Sequence, residues 1–337
     1  MGRTPAFLLL LTAAPSAAGL RPSAFALRAS EDPPKRGEGG PGFGQARRSS
    51  AEAAEPSWVE VRSSHFRVVS DAAAEEARRV ASELEKIRSV YQSVVGPELE
   101  PGAPVLVFAS ADAAGFEALL PARWREEGRG RWAGLFLEAP SGYALLLRLD
   151  LRGDFRFRTV YHEYFHYLTR RSVGRLPPWL NEGLADYWAT IDIRDEEILV
   201  GRPDYDYLAL LKRKAPLPLE TLFAAENDSP DYRREETMTL FYAQSWALTH
   251  FLQSDESRRR ALTAYVSRLG GGADALQAAR ESFGDLDVLG EELRRYVRSR
   301  RFHGARLSTP VLEDPTLSVR SLSQPEVDAA RGTYSGQ

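Results

Sequence analysis

Two histidines and a glutamate stand at a spacing that can bind a metal ion and move a proton. Residues 162–166 read His-Glu-Tyr-Phe-His, in a chain that has only 5 histidines among 337 residues. Residues four positions apart lie on one face of a helix, one turn from each other. Both imidazoles can therefore bind one ion, while Glu163 beside them can act as a general base. The alternative is an ordinary helix that happens to carry two histidines.

A metal site that keeps one position open for water needs a third protein ligand besides His162 and His166. The chain has no cysteine, so this ligand must be His, Asp or Glu. Glu182 is the candidate, because the prolines at 177–178 turn the chain and let a second helix fold back across the first. Asp186 shares the helix face of Glu182 and can accept the free ring N–H of a ligand histidine. Either acid can instead be a solvent-facing charge on its helix.

The two motifs together carry a family resemblance. H-E-x-x-H at 162–166, followed by Asn-Glu-Gly-Leu-Ala-Asp-Tyr at 181–187, resembles the gluzincin zinc metallopeptidases. More narrowly, the pattern is similar to peptidase-MA-like proteins of the DUF1570 type. The resemblance covers about Trp58–Phe302, and its motifs are specific only in the two segments just quoted.

The resemblance implies a role for each matching residue. The implied ligands of one Zn²⁺ ion are His162, His166 and Glu182. Glu163 is the implied general base, and Asp186 matches the acidic position that supports a ligand histidine. A tyrosine beyond the glutamate ligand steadies the oxyanion in related gluzincins, and Tyr242 is the candidate here, although it fits a core tyrosine equally well. No Gly-x-Met-Glu-Asn-type stretch precedes the motif, which argues against an aminopeptidase and leaves an endopeptidase or an unknown specificity.

The surrounding pattern predicts an α+β fold. Residues 58–150 alternate like strands around one long helix, which predicts a small N-terminal α/β sheet unit. The strand Tyr143–Leu149 precedes the site helix; it is either an edge strand, on which the resembling enzymes bind extended peptide, or an interior strand. Residues 151–302 have helical periodicity and are predicted to form a mainly helical zincin-like lobe, with the active-site cleft between the two parts. Residues 303–337 have loop composition and are predicted to be a loosely ordered C-terminal tail.

The N-terminus has the layout of a secretory signal peptide. Residues 1–26 carry Arg3, a short apolar run and a possible cleavage site at 24–26, with 16–18 as a rival site. Residues 27–57 are rich in Gly, Pro, Ser and charge and are predicted to be a disordered linker. We therefore expect a secreted or periplasmic protein of bacterial type, without stable membrane insertion after cleavage. The alternative is that the segment stays as an uncleaved anchor.

The composition of the chain argues against nucleic acid as a binding partner. The net charge of -3 shows no footprint of nucleic-acid binding, and 43% hydrophobic residues are typical of a globular protein. The expected function is a zinc-dependent metallopeptidase that acts on polypeptide. Two other functions stay open: a zinc-binding but catalytically silent module that recognises peptides or cell-wall partners, and a zinc hydrolase of a non-peptide amide. His65 and His250 are weaker candidates for the metal site.

Overall fold

The fold is given by a computed structural model, and the description covers residues 24–28, 58–95, 104–121, 125, 132–139, 142–151, 155–172, 175–194, 197–226, 229, 235–299, 302, 304–308 and 314–335. The predicted signal peptide and linker lie outside these ranges, apart from one short strand at Ala24–Arg28. Within the described ranges, no helix combines the length and the apolar character that a membrane crossing requires.

A mixed sheet forms the first part of the structure. Its strands are β1 (Ala24–Arg28), β2 (Trp58–Arg62), β3 (Phe66–Ser70), β4 (Val105–Ser110), β5 (Trp132–Ala139), β6 (Gly142–Arg148) and β10 (Ser318–Leu322). Their order in the sheet is β1-β5-β6-β4-β3-β2-β10. Strands β3, β4 and β6 are parallel, and the other neighbouring pairs are antiparallel.

Both faces of this sheet are covered, which explains why its central strands are apolar at nearly every position. On one face, Val68 and Val107 pack against the long helix α1 (Ala74–Val95) in the larger hydrophobic core. On the other face, Val69 and Phe108 pack with the short helix α2 (Ala113–Leu119) in a second core. Successive side chains of a strand point to opposite faces, so adjacent residues feed the two cores.

The part that follows is mainly helical, and the prediction of an α+β fold is confirmed. Its helices are α3 (Phe155–Ser172), α4 (Pro178–Ala189), α5 (Tyr205–Arg213), α6 (Leu219–Ala224), α7 (Glu235–Gln253), α8 (Glu256–Gly270), α9 (Ala275–Phe283) and α10 (Leu286–Arg298). A small sheet joins β7 (Asp192–Ile193), β8 (Glu197–Val200) and β9 (Ala305–Ser308). The larger core contains both Val61 of β2 and Val297 of α10, so the two predicted sublobes share one hydrophobic interior.

The strand before the site helix is an interior strand. β6 lies between β5 and β4, and both of its edges are paired. The expectation that Tyr143–Leu149 offers an edge for peptide binding is therefore wrong, and the interior alternative holds. The apolar residues of β6 serve both cores, with Leu145 in one and Leu146 in the other.

The C-terminal segment is part of the sheet unit. β10 pairs antiparallel with β2, and α11 (Gln324–Ser335) packs in the second core through Val327, Ala330 and Tyr334. The expectation of a loosely ordered tail over 303–337 is therefore wrong for residues 314–335. Its composition was misleading because an amphipathic strand at a sheet edge and a helix with one narrow apolar stripe carry few apolar residues.

Candidate metal centre

Helix α3 carries the two histidines at the centre of the molecule. Val160, Phe165 and Leu168 belong to the larger core, so apolar packing fixes the rotation of the helix about its axis. This rotation turns His162, Glu163 and His166 toward the protein interior, where at most 1% of each residue is exposed. The helix thus holds these polar groups away from solvent, at a cost that other groups must offset.

Three ligand atoms converge at the spacing of a metal site. His162 Nε2 lies 3.0 Å from His166 Nε2, and Glu182 Oε2 lies 3.3 Å from the former and 3.6 Å from the latter. Tetrahedral zinc binds N and O at about 2.0–2.2 Å, which places its ligand atoms about 3.3–3.6 Å from one another. His162, His166 and Glu182 form a buried group that could hold a metal ion.

Close packing of α4 brings Glu182 to the two histidines. Pro177 and Pro178 begin α4, with proline in its first turn, where the missing N–H costs little. A Cβ atom at Gly183 would stand 2.4 Å from the carbonyl oxygen of Ser245 in α7, which is closer than real Cβ atoms come. Glycine at this position therefore lets α4 lie directly against α7 and keeps Glu182 in place.

Each histidine ring is oriented through its other nitrogen. His162 Nδ1 lies 3.1 Å from Asp186 Oδ1, and His166 Nδ1 lies 3.0 Å from the side-chain amide nitrogen (Nδ2) of Asn181. A ring that donates its Nδ1 proton to an acceptor leaves the Nε2 lone pair free for a metal ion. Asn181 can present either its oxygen or its nitrogen by a half-turn of the amide group.

Sequence reasoning missed a second layer of polar residues around Asp186. Tyr207 donates its hydroxyl to Asp186 Oδ2 at 3.0 Å, and Arg158 lies 2.5 Å from Asp204 and 3.7 Å from Asp186. Asp204 also caps α5 by accepting from the Tyr207 N–H. Helix spacing could have indicated Arg158, because it precedes His162 by one helix turn. No feature of the sequence indicates Asp204 or Tyr207, because tertiary packing brings both residues to the site.

The pKa values of the cluster show how strongly its members interact. Burial disfavours the charged form of His162, but hydrogen bonds to Asp186 and Glu182 outweigh it and raise the pKa to about 10. Burial would raise the pKa of Glu182, yet attraction to His166 and bonds from both rings lower it to about 2. Burial lowers the pKa of His166, and Glu182 offsets this only in part. Burial and the charge of Asp186 hold the pKa of Tyr207 well above its ordinary value, so its hydroxyl stays a donor.

The buried charges of the described site are predominantly negative. Glu163, Glu182, Asp186 and Asp204 are at most 5% exposed, and the cations that contact members of this set are Arg158 and, because of its raised pKa, His162. Buried charge without compensation is unfavourable. A divalent cation at the three ligand atoms would reduce this excess, so the charge pattern also fits a metal ion.

Glu163 lies against the sheet. A Cβ atom at Gly134 of β5 would stand 2.8 Å from Glu163 Cγ and 2.6 Å from Thr159 Cγ2. Only glycine allows β5 to pass this close to α3. The charge of Glu163 also raises the pKa of His162, which shows that the predicted base and the predicted ligand interact.

The remaining candidates lie as follows. Tyr242 is buried in α7, and its ring packs edge-on against Phe241. His250 uses its two ring nitrogens on the Tyr296 hydroxyl and the Gly201 carbonyl. His65 contacts Glu85 through Nδ1 at 2.7 Å.

The fold and the site together define an α+β protein with a buried His-His-Glu cluster on an H-E-x-x-H helix. Residues 157–270 match the profile of a protein family described as "Protein of unknown function (DUF1570)". The match runs from α3 to α8, includes His162, His166 and Glu182, and confirms the DUF1570 name predicted from the motifs. A search of curated proteins finds no match to this chain.

Proposed function

We propose that this chain is a secreted zinc metallopeptidase, an endopeptidase of the gluzincin type. The observation that carries the proposal is the convergence of His162 Nε2, His166 Nε2 and Glu182 Oε2 at 3.0–3.6 Å, with Glu163 on the same helix as the two histidines. Two imidazoles, one carboxylate and an adjacent glutamate are the groups that metal-assisted peptide hydrolysis requires.

Zinc is the proposed metal because the ligand set suits it. Imidazole nitrogen with a single carboxylate is a common catalytic zinc set, whereas all-oxygen sets favour Mg²⁺ and Ca²⁺. When bound, the ion would polarise a carbonyl group and lower the pKa of its bound water to about 7. Asp186 would keep the His162 ring in the tautomer that leaves Nε2 unprotonated, and Asn181 would do the same for His166 once its amide oxygen, instead of its nitrogen, faces Nδ1.

Glu163 has the proton-transfer role in this proposal. Its carboxylate would take a proton from the attacking water and later deliver it to the leaving amine. A donor to the developing oxyanion is typically worth about 3 kcal/mol of transition-state stabilisation, and Tyr242 remains the proposed donor. Because the site is buried, a polypeptide substrate can reach Glu163 only after a neighbouring segment has moved.

That burial also favours a second candidate function. The three ligands and Glu163 are 0–1% exposed, as in a metal site that holds a fold together. A zinc-binding but catalytically silent module, which recognises peptides or cell-wall partners elsewhere on its surface, is consistent with this observation. The intact Glu163 favours the peptidase, because a silent module has no need of the base.

A peptide-library digest tests the proposal. The zinc-loaded protein, its chelated form and the Glu163→Gln variant are each incubated with the library, and cleavage is read by mass spectrometry. We expect cleavage by the loaded protein alone, with a loss of at least about a hundredfold in Glu163→Gln, since this removes the acid–base group. Glu163→Gln should still bind one zinc ion.

An exposed glutamate on α1 provides the matched control. Glu75→Gln makes the same chemical change at the surface and should cleave like the wild type. Unchanged cleavage in Glu163→Gln would overturn the assignment of the base. Stoichiometric zinc without any cleavage would favour the silent module, and cleavage of amides other than peptide bonds would favour the third function.

A further inference from the structure

A cavity of about 570 Å³ lies between α5, the loop at 214–218, α7 and α10. We propose that this cavity binds an anionic amphiphile, a single aliphatic chain that ends in a carboxylate. Its volume is within the range of about 300–1,000 Å³ that is usual for small-molecule sites. The inference concerns a site separate from the metal centre and does not depend on the proposed function.

The floor of the cavity is aliphatic. Leu219, Leu286, Leu293 and Val297 line it, and each is at most 7% exposed because it also belongs to the larger core. These side chains are fixed by their packing, so the surface that they offer is already formed. An aliphatic tail buried against them would be stabilised by each CH₂ group that it removes from water.

The rim of the cavity is basic. Its basic residues are Lys212, Arg213, Lys214, Arg294 and Arg298, against one acid, Asp287. Arg294 already pairs with Glu291. Lys212 and Lys214 are exposed, and within the described ranges neither has a carboxylate within salt-bridge distance. The rim therefore offers positive charge to an anion bound at its edge.

A glycine in the middle of α10 keeps the cavity open. Glycine inside a helix makes the helix less stable than alanine does. Gly290 lines the cavity, and a Cβ atom there would come no closer than 3.8 Å to another residue, which is an ordinary contact. Packing therefore does not require glycine at 290. Its presence leaves room where a larger side chain would project into the cavity.

The loop that forms one wall favours an aliphatic ligand over a peptide. Pro216 and Pro218 have no N–H group, and Leu217 already uses its N–H and C=O on the Gln244 side chain at 2.8 and 2.7 Å. A bound peptide needs partners for its own backbone groups, and this wall supplies few of them. An aliphatic tail needs no such partners.

Helix α7 separates the cavity from the metal centre. Gln244 and Ala247 line the cavity, whereas Ser245, on another face of the helix, meets Gly183 of α4. Binding in the cavity should therefore not require the metal ion. A failure of the cavity proposal can for this reason be distinguished from a failure of the peptidase proposal.

The test is a calorimetric titration of the full chain with dodecanoate below its micelle concentration. We expect saturable binding of one molecule, unchanged by chelator or by Glu163→Gln. Acetate, which has the charge alone, should not bind, and 1-dodecanol, which has the tail alone, should bind at least about tenfold more weakly. Absence of saturable dodecanoate binding, or binding only to anionic phospholipid vesicles, would overturn the proposal.

Two variants locate the ligand, and each has a matched control. Gly290→Leu fills the cavity and should weaken dodecanoate binding by at least about tenfold, whereas Gly332→Leu in α11 should leave it unchanged. Lys214→Glu should weaken binding by about five- to tenfold, and the exposed Arg78→Glu should not. Leucine favours a helix more than glycine does, so loss of binding with a retained helical spectrum reports the cavity. Equal affinity in Gly290→Leu and the wild type would contradict the assignment.

Discussion

The orientation of His162 depends on contacts that extend well beyond the metal ligands. Asp186 holds the ring through one oxygen, and its other oxygen accepts the Tyr207 hydroxyl. Arg158 adds positive charge to the same carboxylate and binds Asp204, the cap of α5. The orientation of His162 is therefore linked to the start of α5, a helix that contributes none of the three candidate ligand atoms.

This arrangement predicts the effect of Asp186→Asn. An amide that turns its NH₂ group to Nδ1 would favour the ring tautomer with a proton on Nε2, which cannot bind metal. Zinc affinity should fall by about 10- to 100-fold, measured by competition with a chromophoric chelator.

Asp206→Asn is the control for this change. Asp206 is an exposed residue of the first turn of α5, so the same substitution there should leave zinc affinity unchanged. Equal zinc affinity in Asp186→Asn and the wild type would show that Asp186 does not orient the ligand.

At the residue scale, the local spacing predicted the part of the site that lies on two consecutive helices. His162, His166, Glu182 and Asp186 follow from helix periodicity and one turn of the chain. The contact of Tyr207 could not be predicted in this way, because only tertiary packing brings its hydroxyl oxygen within 3.0 Å of Asp186 Oδ2.

At the scale of elements, one buried carboxylate joins three strands. Glu60 of β2 is 1% exposed and accepts from Arg62 at 2.7 Å, from Arg320 of β10 at 2.8 Å and from Arg67 of β3. Burial would raise the pKa of Glu60, but these arginines outweigh it and lower the pKa from 4.5 to about 2.

The lowered pKa predicts how stability changes in acid. The folded state holds the Glu60 carboxylate more strongly as an anion than the unfolded state does, so its contribution is complete above pH 4.5. The contribution is lost as the pH falls from 4.5 toward 2. Glu60→Gln should lower the free energy of unfolding by about 1–3 kcal/mol at pH 7, after allowance for screening of the exposed arginines.

Urea unfolding at pH 7 and pH 3 measures this effect. The difference between wild type and Glu60→Gln should shrink as the pH falls. Glu256→Gln breaks an exposed pair with Arg260 and should change little at either pH. A difference that is the same at both pH values would rule out ionisation of Glu60 as its source.

The helices were easier to predict than the strand positions. Helix periodicity is local, so it predicts a helix at 162–166 and a second helix after the prolines at 177–178, and these are α3 and α4. The neighbours of a strand are set by the rest of the chain, and the apolar pattern of β6 fits an edge or an interior place. Strand β10 was missed because residues 318–322 include only two apolar side chains.

At the scale of the whole molecule, the C-terminus covers one face of the sheet. Tyr334 is 2% exposed, packs edge-on against Phe108 with ring centres 5.5 Å apart, and donates its hydroxyl to the Leu119 carbonyl at 3.0 Å. Tyr334→Ala should lower the free energy of unfolding by about 3–4 kcal/mol, the usual cost of losing a buried aromatic side chain.

Thermal and urea unfolding followed by circular dichroism check this value. Tyr205→Ala removes a tyrosine that is 75% exposed and should have little effect. Equal stability of Tyr334→Ala and the wild type would mean that α11 is only loosely attached.

The general architecture followed from the order of strand and helix patterns, which predicted a sheet unit and then helices. The pairing of β10 with β2 could not be predicted from the sequence, because no local pattern indicates a contact between residues so far apart.

That pairing has a consequence for the order of events during folding. Arg320 contacts Glu60 across 260 positions, and β10 pairs with β2 only after residues 318–322 have been synthesised. A chain that emerges N-terminus first therefore exposes the edge of β2, a site for aberrant strand pairing, until that point. Contacts between such distant residues also slow folding. Pairing with β10 thus covers the edge of β2 only late in synthesis.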